Sequence, residues 1–563
     1  VKVPVIWPAR DGAFRARGYA DCALLEQILD RTIWTARGAY DFEHNEVRDD
    51  GDWPDTDGAV VIFNGRANVA DADWLIERID RLDWAVVIIT GDEEWEFPWR
   101  RLPPTDRRKV WVMAPTPDHS GLSWLIPGGW YWDTREDILA ASSHAPTDRP
   151  LLWFFAGQVT HVRRTECVNA LEVISGGEIV ATDGFMRGLP PAEYAARLTT
   201  AKIVPCPSGP VTIDTARPLS AMEAGCVPIL DTRKPRDPQF DYWELIFGPG
   251  HPIPTIARWG NVGRVICDVS SRWSSVQPQV SSFWQQWKRR TAQALHDHIR
   301  EVRGDPPPST PGDIITVVIT TSPIPSHPST EILEATIQSV RDQLPHAEII
   351  VAIDGVRPEQ VHMAGPYEEY VQRVLWNCNF HWHNVLPVVM PSWGHQANAT
   401  RLALEFVHTP VILFVEHDTP ILGDIPWADL AGFVTDGMAN AIRLHQDVEI
   451  HPDHERVMVD HETRWVWGVP ARRTMAWWQR PHLASTDWYR AMLDEFFHPD
   501  SRTMIEDRLY GIMWVDCVTS RSGWDRWKVW VYTPDGDMRR SGHLDGRGDQ
   551  PKFDMVFEPR GQG

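Results

Sequence analysis

Short unbroken apolar runs alternate with stretches whose apolar residues recur every three to four positions, and the alternation continues along most of the chain. Runs of this length bounded by polar turns read as strands buried on both faces, and the periodic stretches read as helices packed over them. In the first half the expected strands are 58–63 (GAVVIF), 84–90 (WAVVIIT), 110–114, 151–156 (LLWFFA), 178–181 and 202–205. In the second half they are 314–320, 348–353 and 411–415, with helices near 329–341 and 396–406. Strands alternating with helices predict an α/β fold for both halves.

The alternation breaks most clearly at EVRGDPPPSTPGD (301–313), where three consecutive prolines can continue neither a helix nor a central strand. The stretch before it, about 283–302, reads as a helix. The expected organisation is an N-terminal half 1–305, with subdomains of about 1–145 and 146–305, a Pro-rich linker 306–313, and a C-terminal half 314–563.

A length of 563 residues gives each half enough chain for its own core. The net charge of −22 argues against a broad phosphate-gripping surface, which would need Lys and Arg in excess. Seven cysteines without a C-x-x-C pair suggest neither a zinc ribbon nor a disulfide scaffold. No apolar stretch approaches the ~20 residues that span a bilayer, and the first residues lack a signal-peptide core. A cytoplasmic protein with no membrane span is expected. Among thirty tryptophans, the clusters Trp130-Tyr131-Trp132 and Trp477-Trp478 suit stacking on sugar rings.

Candidate chemistry enters at TPVILFVEHDTPI (409–421), where a buried strand ends abruptly in Glu416, His417 and Asp418. Acids at the carboxyl edge of an open α/β sheet lie where such folds bind ligands, and two carboxylates two residues apart suit one hard divalent cation. Upstream, one strand ends in Thr320-Thr321-Ser322 and another in Asp354-Gly355, followed by GHQANATR (394–401). Downstream, SRTMIEDRLYG (501–511) carries the acid pair Glu506-Asp507 on a helical pattern, and MRRSGHLDGRGD (538–549) is rich in Gly and Arg.

In this order the C-terminal half resembles glycosyltransferase family 2 and its glycosyltransferase A fold. That resemblance implies that Thr320, Ser322 and Asp354 meet the nucleotide base or ribose, with Asn398, Arg401 and His417 near the donor. Glu416 and Asp418 would hold Mn²⁺ or Mg²⁺, with His543 a candidate third ligand. Asp507 would be the general base, with Glu506 second. The chain departs from the family in carrying E-x-D in place of D-x-D, and in having Ala397 and Asn398 adjacent.

The N-terminal half offers LTTAKIVPCPSGPVTIDTARPLSAMEAGCVPILD (198–231), read as strand, glycine loop, helix, strand. The backbone N–H groups of the helix start favour an anion. This stretch resembles the exostosin family, glycosyltransferase family 47, which implies a glycosyltransferase B fold of two doubly wound domains. Ser208, Gly209, Asp214, Arg217 and Glu223 would line its donor site, joined by Gly157, Arg163 and Arg164 from FAGQVTHVRR (155–164). The order of the two halves resembles that of heparan sulfate polymerases.

The function expected is sugar transfer from a UDP- or GDP-sugar to an acceptor hydroxyl, inverting in the C-terminal half, with a possible second site in the N-terminal half. A glycan, a protein, a small molecule and a modified DNA base stay open as acceptors. The competing readings are a degenerate transferase fold serving carbohydrate binding or assembly, and a nucleotidyltransferase.

Overall fold

A computed structural model describes residues 2–8, 23–30, 38, 40–49, 51–91, 94–128, 134–182, 184, 187–233, 240–445, 450, 452–520, 522–535 and 539–548. The chain forms two compact units, Val1–Pro307 and Pro308–Gly563. Trp130, Tyr131, Trp132 and Cys22 lie outside the described residues.

Among the described residues the first unit holds two sheets. One contains β1 (Lys2–Pro8), β2 (Asp41–Val47), β3 (Gly58–Asn64), β4 (Trp84–Thr90), β5 (Arg108–Met113) and β6 (Trp124–Ile126), in the order β2-β1-β3-β4-β5-β6. The other contains β7 (Leu151–Gln158), β8 (Gly177–Thr182), β9 (Ala201–Cys206), β10 (Val227–Asp231) and β11 (Thr255–Ile256), in the order β11-β10-β9-β7-β8. Every pairing in both sheets is parallel. Counted from its own first strand, the first sheet runs 2-1-3-4-5-6 and the second 2-1-3-4-5, and in each the direction of travel reverses between the first and third strands. Such a reversal opens a crevice at the carboxyl ends of those two strands.

Parallel sheets are covered on both faces, which is why β3 and β4 are buried at every position. Helix Ala72–Asp80 covers one face of the first sheet with Leu75, Ile76 and Ile79. On the other side Trp284, Trp287, Leu295 and Ile299 of the long helix Trp273–Arg303 join the core that also includes the second sheet. That helix starts ten residues before the apolar pattern suggests and runs through Pro278. It stops at Gly304, whose φ of 69° closes the last turn in a left-handed cap.

The second unit is built on a mixed sheet of β12 (Ile315–Thr321), β13 (Glu348–Ile353), β14 (Val385–Val389), β15 (Val411–Glu416), β16 (Ala441–Leu444), β17 (Arg464–Val466), β18 (Val469–Arg473), β19 (His482–Ser485) and β20 (Val529–Tyr532). Its order is β14-β13-β12-β15-β19-β16-β20-β18-β17. The first four strands are parallel, and β19 lies antiparallel between β15 and β16. Alternate residues serve opposite faces, so Val317 and Ile319 pack with helices Glu331–Arg341 and Ala364–Phe380. Val318 and Phe414 face helices His395–Leu404, Thr486–Phe496 and Ile505–Thr519. Among the described residues no helix is long and apolar enough to cross a membrane.

Candidate functional site

The parallel register of β12 with β15 sets Thr320 beside Glu416 at the carboxyl edge of the sheet. The chain then turns: Thr419 Oγ1 donates to the Glu416 carbonyl at 3.1 Å and accepts its N–H at 3.0 Å. His417 N–H donates to the Thr320 carbonyl at 3.1 Å, while Thr336 Oγ1 donates to the His417 carbonyl at 2.7 Å. His417 is buried within electrostatic reach of both His327 and Asp418, and its Nε2 has no hydrogen-bond partner. Asp418 follows with its side chain 23% exposed.

A segment from the far end of the unit lies across this turn. Leu422 N–H donates to the Arg540 carbonyl at 3.0 Å, Gly542 N–H to Pro420 at 2.8 Å and Leu544 N–H to Asp418 at 2.7 Å. The segment sets His543 Nε2 3.3 Å from Asp418 Oδ2. Burial works against ionisation of Asp418, but His417 and His543 outweigh it and hold the carboxyl below its usual range. Glu416 goes the other way. Burial pushes it up to about 8, the neighbouring Asp418 adds to the rise, and Arg480 opposes it.

Glu506 is the third acid in this cluster. Its Oε2 accepts the Gln479 N–H at 2.8 Å, and its charge acts on both Glu416 and Arg443. Arg443 is buried over the face of Trp478, 4.3 Å from the ring centre, and burial lowers it to about 9 with Arg480 adding. Asp507, one residue on, is exposed and within electrostatic reach of His395. The acid pair thus splits, Glu506 toward Glu416 and Asp507 toward solvent.

Gln396 ties these parts together, and the sequence reading passes over it. Its Nε2 donates to Glu416 Oε1 at 3.0 Å, and its Oε1 accepts the Ile505 N–H at 3.1 Å. One amide therefore fixes a sheet-edge acid to the start of the helix that carries Glu506 and Asp507. Its signal in the sequence was its place, the second residue of a helix beginning at the sheet edge. Arg443 and Arg480 were also missed, because they sit on or beside short strands with no apolar run.

Other expected donor contacts have structural partners. Asp354 accepts N–H bonds from Gly355 and Gly394 at 2.8 Å and from His395 at 3.0 Å, so it clasps the start of helix His395–Leu404. Burial nevertheless raises its carboxyl above the usual range. Asn398 donates to the Gly394 and Pro499 carbonyls, and Arg401 to Asn398 Oδ1 and the Leu493 and Phe497 carbonyls, so both hold the end of helix Thr486–Phe496. Thr320 and Ser322 are half-buried at the edge. Trp477 is core, and Trp478 is half-buried with Tyr510 edge-on at 6.0 Å.

In the first unit Gly157 lies at the end of β7. Arg163, Arg164, Ser208, Gly209, Asp214 and Arg217 belong to the segments that follow β7 and β9, while Glu223 lies at the far end of helix Ala216–Glu223. Arg163 is bidentate on Asp231, whose Oδ2 also accepts the Ser208 N–H at 3.2 Å. Arg164 donates to the carbonyls of Gln158 and Ser208. Asp214 accepts from Tyr242 OH at 2.5 Å and from the Gly128 N–H. Glu223 is 1% exposed, with Oε1 on Arg135 at 2.7 Å and Oε2 on Lys288 at 2.7 Å and Trp284 at 2.8 Å. These four charged residues are engaged in holding loops together. Arg217 donates from Nε and Nη2 to the Ala156 carbonyl at 3.1 and 3.0 Å and approaches Gly157 so closely that a Cβ has no room. Its Nη1, Ser208 Oγ and Thr215 Oγ1 are buried without a hydrogen-bond partner. Thr215 and Arg217 flank the start of helix Ala216–Glu223, and the Gly209 backbone packs against Thr212 and Asp214.

Among the described residues no three His, Cys, Asp or Glu side chains form a ready-made metal cage. Asp418 and His543 lie 3.3 Å apart, and the rise in Glu416 comes first from burial and then from the charge of Asp418.

No protein-family model matches the chain, and no curated protein matches it. Among solved structures it is similar to S. aureus TarS 1–349 at 14% identity and a TM-score of 0.25, over 40% of this chain and 59% of that one. The same fragment in complex with UDP-GlcNAc gives 13% identity and a TM-score of 0.25, over 40% and 57%. A nucleotidyl transferase from Methanothermobacter thermautotroptrophicus gives 14% identity and a TM-score of 0.24, over 40% and 89%. The matched part is thus under two thirds of the TarS fragment and less than half of this chain.

Proposed function

We propose that the second unit is a metal-dependent glycosyltransferase of the glycosyltransferase A type, moving a sugar from a UDP- or GDP-sugar to an acceptor hydroxyl with inversion. The observation that carries this reading is the gathering of Glu416, Asp418 and Glu506 at the carboxyl edge of parallel strands, with Arg480, Arg443 and His543 around them. Glu416, Asp418 and His543 would hold Mn²⁺ or Mg²⁺, the imidazole favouring manganese. A cation held by these residues would supply positive charge against the leaving diphosphate. Arg480 supplies positive charge next to the same acids.

Asp507 is the general base of this reading, because it is the exposed member of the acid pair and so faces an arriving acceptor. The acceptor oxygen bonds to the anomeric carbon, the bond to the diphosphate breaks, and the hydroxyl proton passes to the Asp507 carboxylate. Glu506, held by the Gln479 N–H, and Gln396, bridging Glu416 and Ile505, fix the spacing between metal acids and base.

The test is a panel of sugar nucleotides incubated with the full chain and Mn²⁺, read by mass spectrometry. Release of a nucleoside diphosphate, lost in Asp418→Ala, supports the reading. Asp418-dependent release of pyrophosphate from a nucleoside triphosphate would identify a nucleotidyltransferase instead. Absence of both would leave a carbohydrate-binding or assembly role.

A second donor-type site in the first unit, of the glycosyltransferase B type, is favoured by one observation. Ser208 Oγ, Thr215 Oγ1 and Arg217 Nη1 are buried donors without partners at the start of a helix, a set suited to a phosphate. Saturable binding of UDP that persists in Asp418→Ala and is lost in Ser208→Ala/Arg217→Met tests it.

A further inference from the structure

Helix Ile505–Thr519 buries Ile505, Leu509 and Met513 on one side. On the other side Tyr510, Trp514, Val515 and Val518 remain 40%, 44%, 48% and 50% exposed. At helical spacing, positions 507, 510, 511, 514, 515 and 518 share one face, because they fall at intervals of three and four. That face starts at Asp507, continues through Tyr510, and reaches Trp514 about 10 Å further along the axis. Between Asp507 and Val518 these positions carry no charged side chain, and the exposed Arg508 that borders them lies 6.0 Å from the Phe497 ring centre. A phosphate-bearing polymer would find that single bordering cation, and the protein's overall charge of −22 would repel it. Indole and phenol rings suit the C–H faces of uncharged pyranoses, and their polar edges suit the hydroxyls. The near end of the stripe adjoins the candidate centre. Tyr510 stands edge-on to Trp478 at 6.0 Å, and the next residue, Gln479, holds Glu506.

We infer that this face docks the acceptor, an uncharged glycan chain whose terminal hydroxyl lies at Asp507 and whose following residues lie on Tyr510 and Trp514. The inference rests on the reading of Asp507 as the base, and it narrows the acceptor from any hydroxyl to a neutral oligosaccharide. Val515 and Val518 extend the contact beyond the second residue, so longer chains bind better than a single sugar.

The experiment uses the full chain, an array of printed neutral glycans, and the variants Trp514→Ala and Val518→Ser. Thermal unfolding confirms that each variant is folded. Wild type is expected to label neutral oligosaccharides. Trp514→Ala should weaken binding about tenfold, and Trp514→Phe should recover most of it. Equal labelling by wild type and Trp514→Ala, or none by either, overturns the inference. So does sedimentation showing a wild-type dimer that Val518→Ser makes monomeric, or phosphatidylcholine-vesicle binding lost in Trp514→Ala. Sugar-nucleotide hydrolysis by wild type without an acceptor is measured in parallel. Hydrolysis with Trp514-independent glycan binding sinks the docking face alone. Trp514-dependent binding without hydrolysis supports the docking face and sinks the transferase reading.

Discussion

Replacing Glu223 by Gln tests whether this acid is a strut of the first unit or a contact for ribose. The amide keeps the shape of the carboxylate but removes the charge that faces Lys288, Arg135 and Trp284. These partners outweigh the cost of burial and hold Glu223 down at about 2. Relative to its ordinary 4.5, that depression corresponds to ~3 kcal/mol. The figure agrees with the ~3–5 kcal/mol lost when one member of a buried ion pair is removed. Removing the Glu223 charge also removes what holds Lys288 up against burial, so its ammonium, already lowered to about 8, falls further and the loss lies toward the smaller end of that range at neutral pH. At ~2–4 °C per kcal/mol, the first unit's transition should fall by ~6–12 °C. Calorimetry of the full chain at pH 7 measures this, and the second unit's transition serves as an internal reference. Pairing Glu223→Gln with Lys288→Met should recover much of the loss, because the fully buried ammonium is then gone and only the more exposed Arg135 has lost its carboxylate. The pH dependence has a defined sign. A depressed carboxylate stabilises fully above its unfolded value and loses that contribution as pH falls toward its folded one. The part of the gap that comes from the carboxylate itself should thus close as pH falls from ~5 toward ~2. A variant that melts with wild type and only loses nucleotide binding would refute the strut.

Asp507→Asn should lower glycosyl transfer by ~10²–10⁴ while Mn²⁺ affinity is kept; an equal loss of metal binding would place Asp507 among the ligands instead. Without a cation, Glu416 is protonated below about 8, so Mn²⁺ should bind more tightly as pH rises from 6.5 to 8.5 and should release a proton, seen as buffer-dependent heat in titration calorimetry. An affinity unchanged over that range would remove Glu416 from the site. Gly355→Ala should destabilise the second unit by ~1–3 kcal/mol in denaturant melts, because a Cβ there collides with the backbone of Ser392 and Trp393 where Asp354 clasps helix His395–Leu404. A neutral change would show that the clasp has slack.

The fully apolar strands were legible because a strand buried on both faces needs no partner to declare itself. GAVVIF, WAVVIIT and VILFV each lie within an observed strand. The α/β class followed from them. Strand β2, DFEHNEV, was not legible, since it pairs along one edge only and its residues are mostly polar or half-exposed. The short strands β16 to β20 have three to five residues each, too few to show a period. The same limit applied to the site. Residues at the ends of long apolar strands, such as Glu416 and Asp354, could be placed at the sheet edge from their position alone. What each one touches depended on parts of the chain far away in sequence. Hence the expected donor ligands Asp354, Asn398, Arg401 and Glu223 were found clasping helices or balancing buried charge.

The segment that carries His543 has a consequence for how the second unit matures. Its backbone bonds reach Ser326, Asp418, Pro420, Leu422 and His445, all far upstream and all outside the strands of the sheet. Contacts between distant parts of a chain carry the largest closure cost and tend to form late. The sheet and its helices can therefore be complete while the imidazole is still absent from Asp418. A cation that needs both would then bind in the same event that seats the last segment. Protein prepared without metal should consequently be folded in its core and unfinished at one edge.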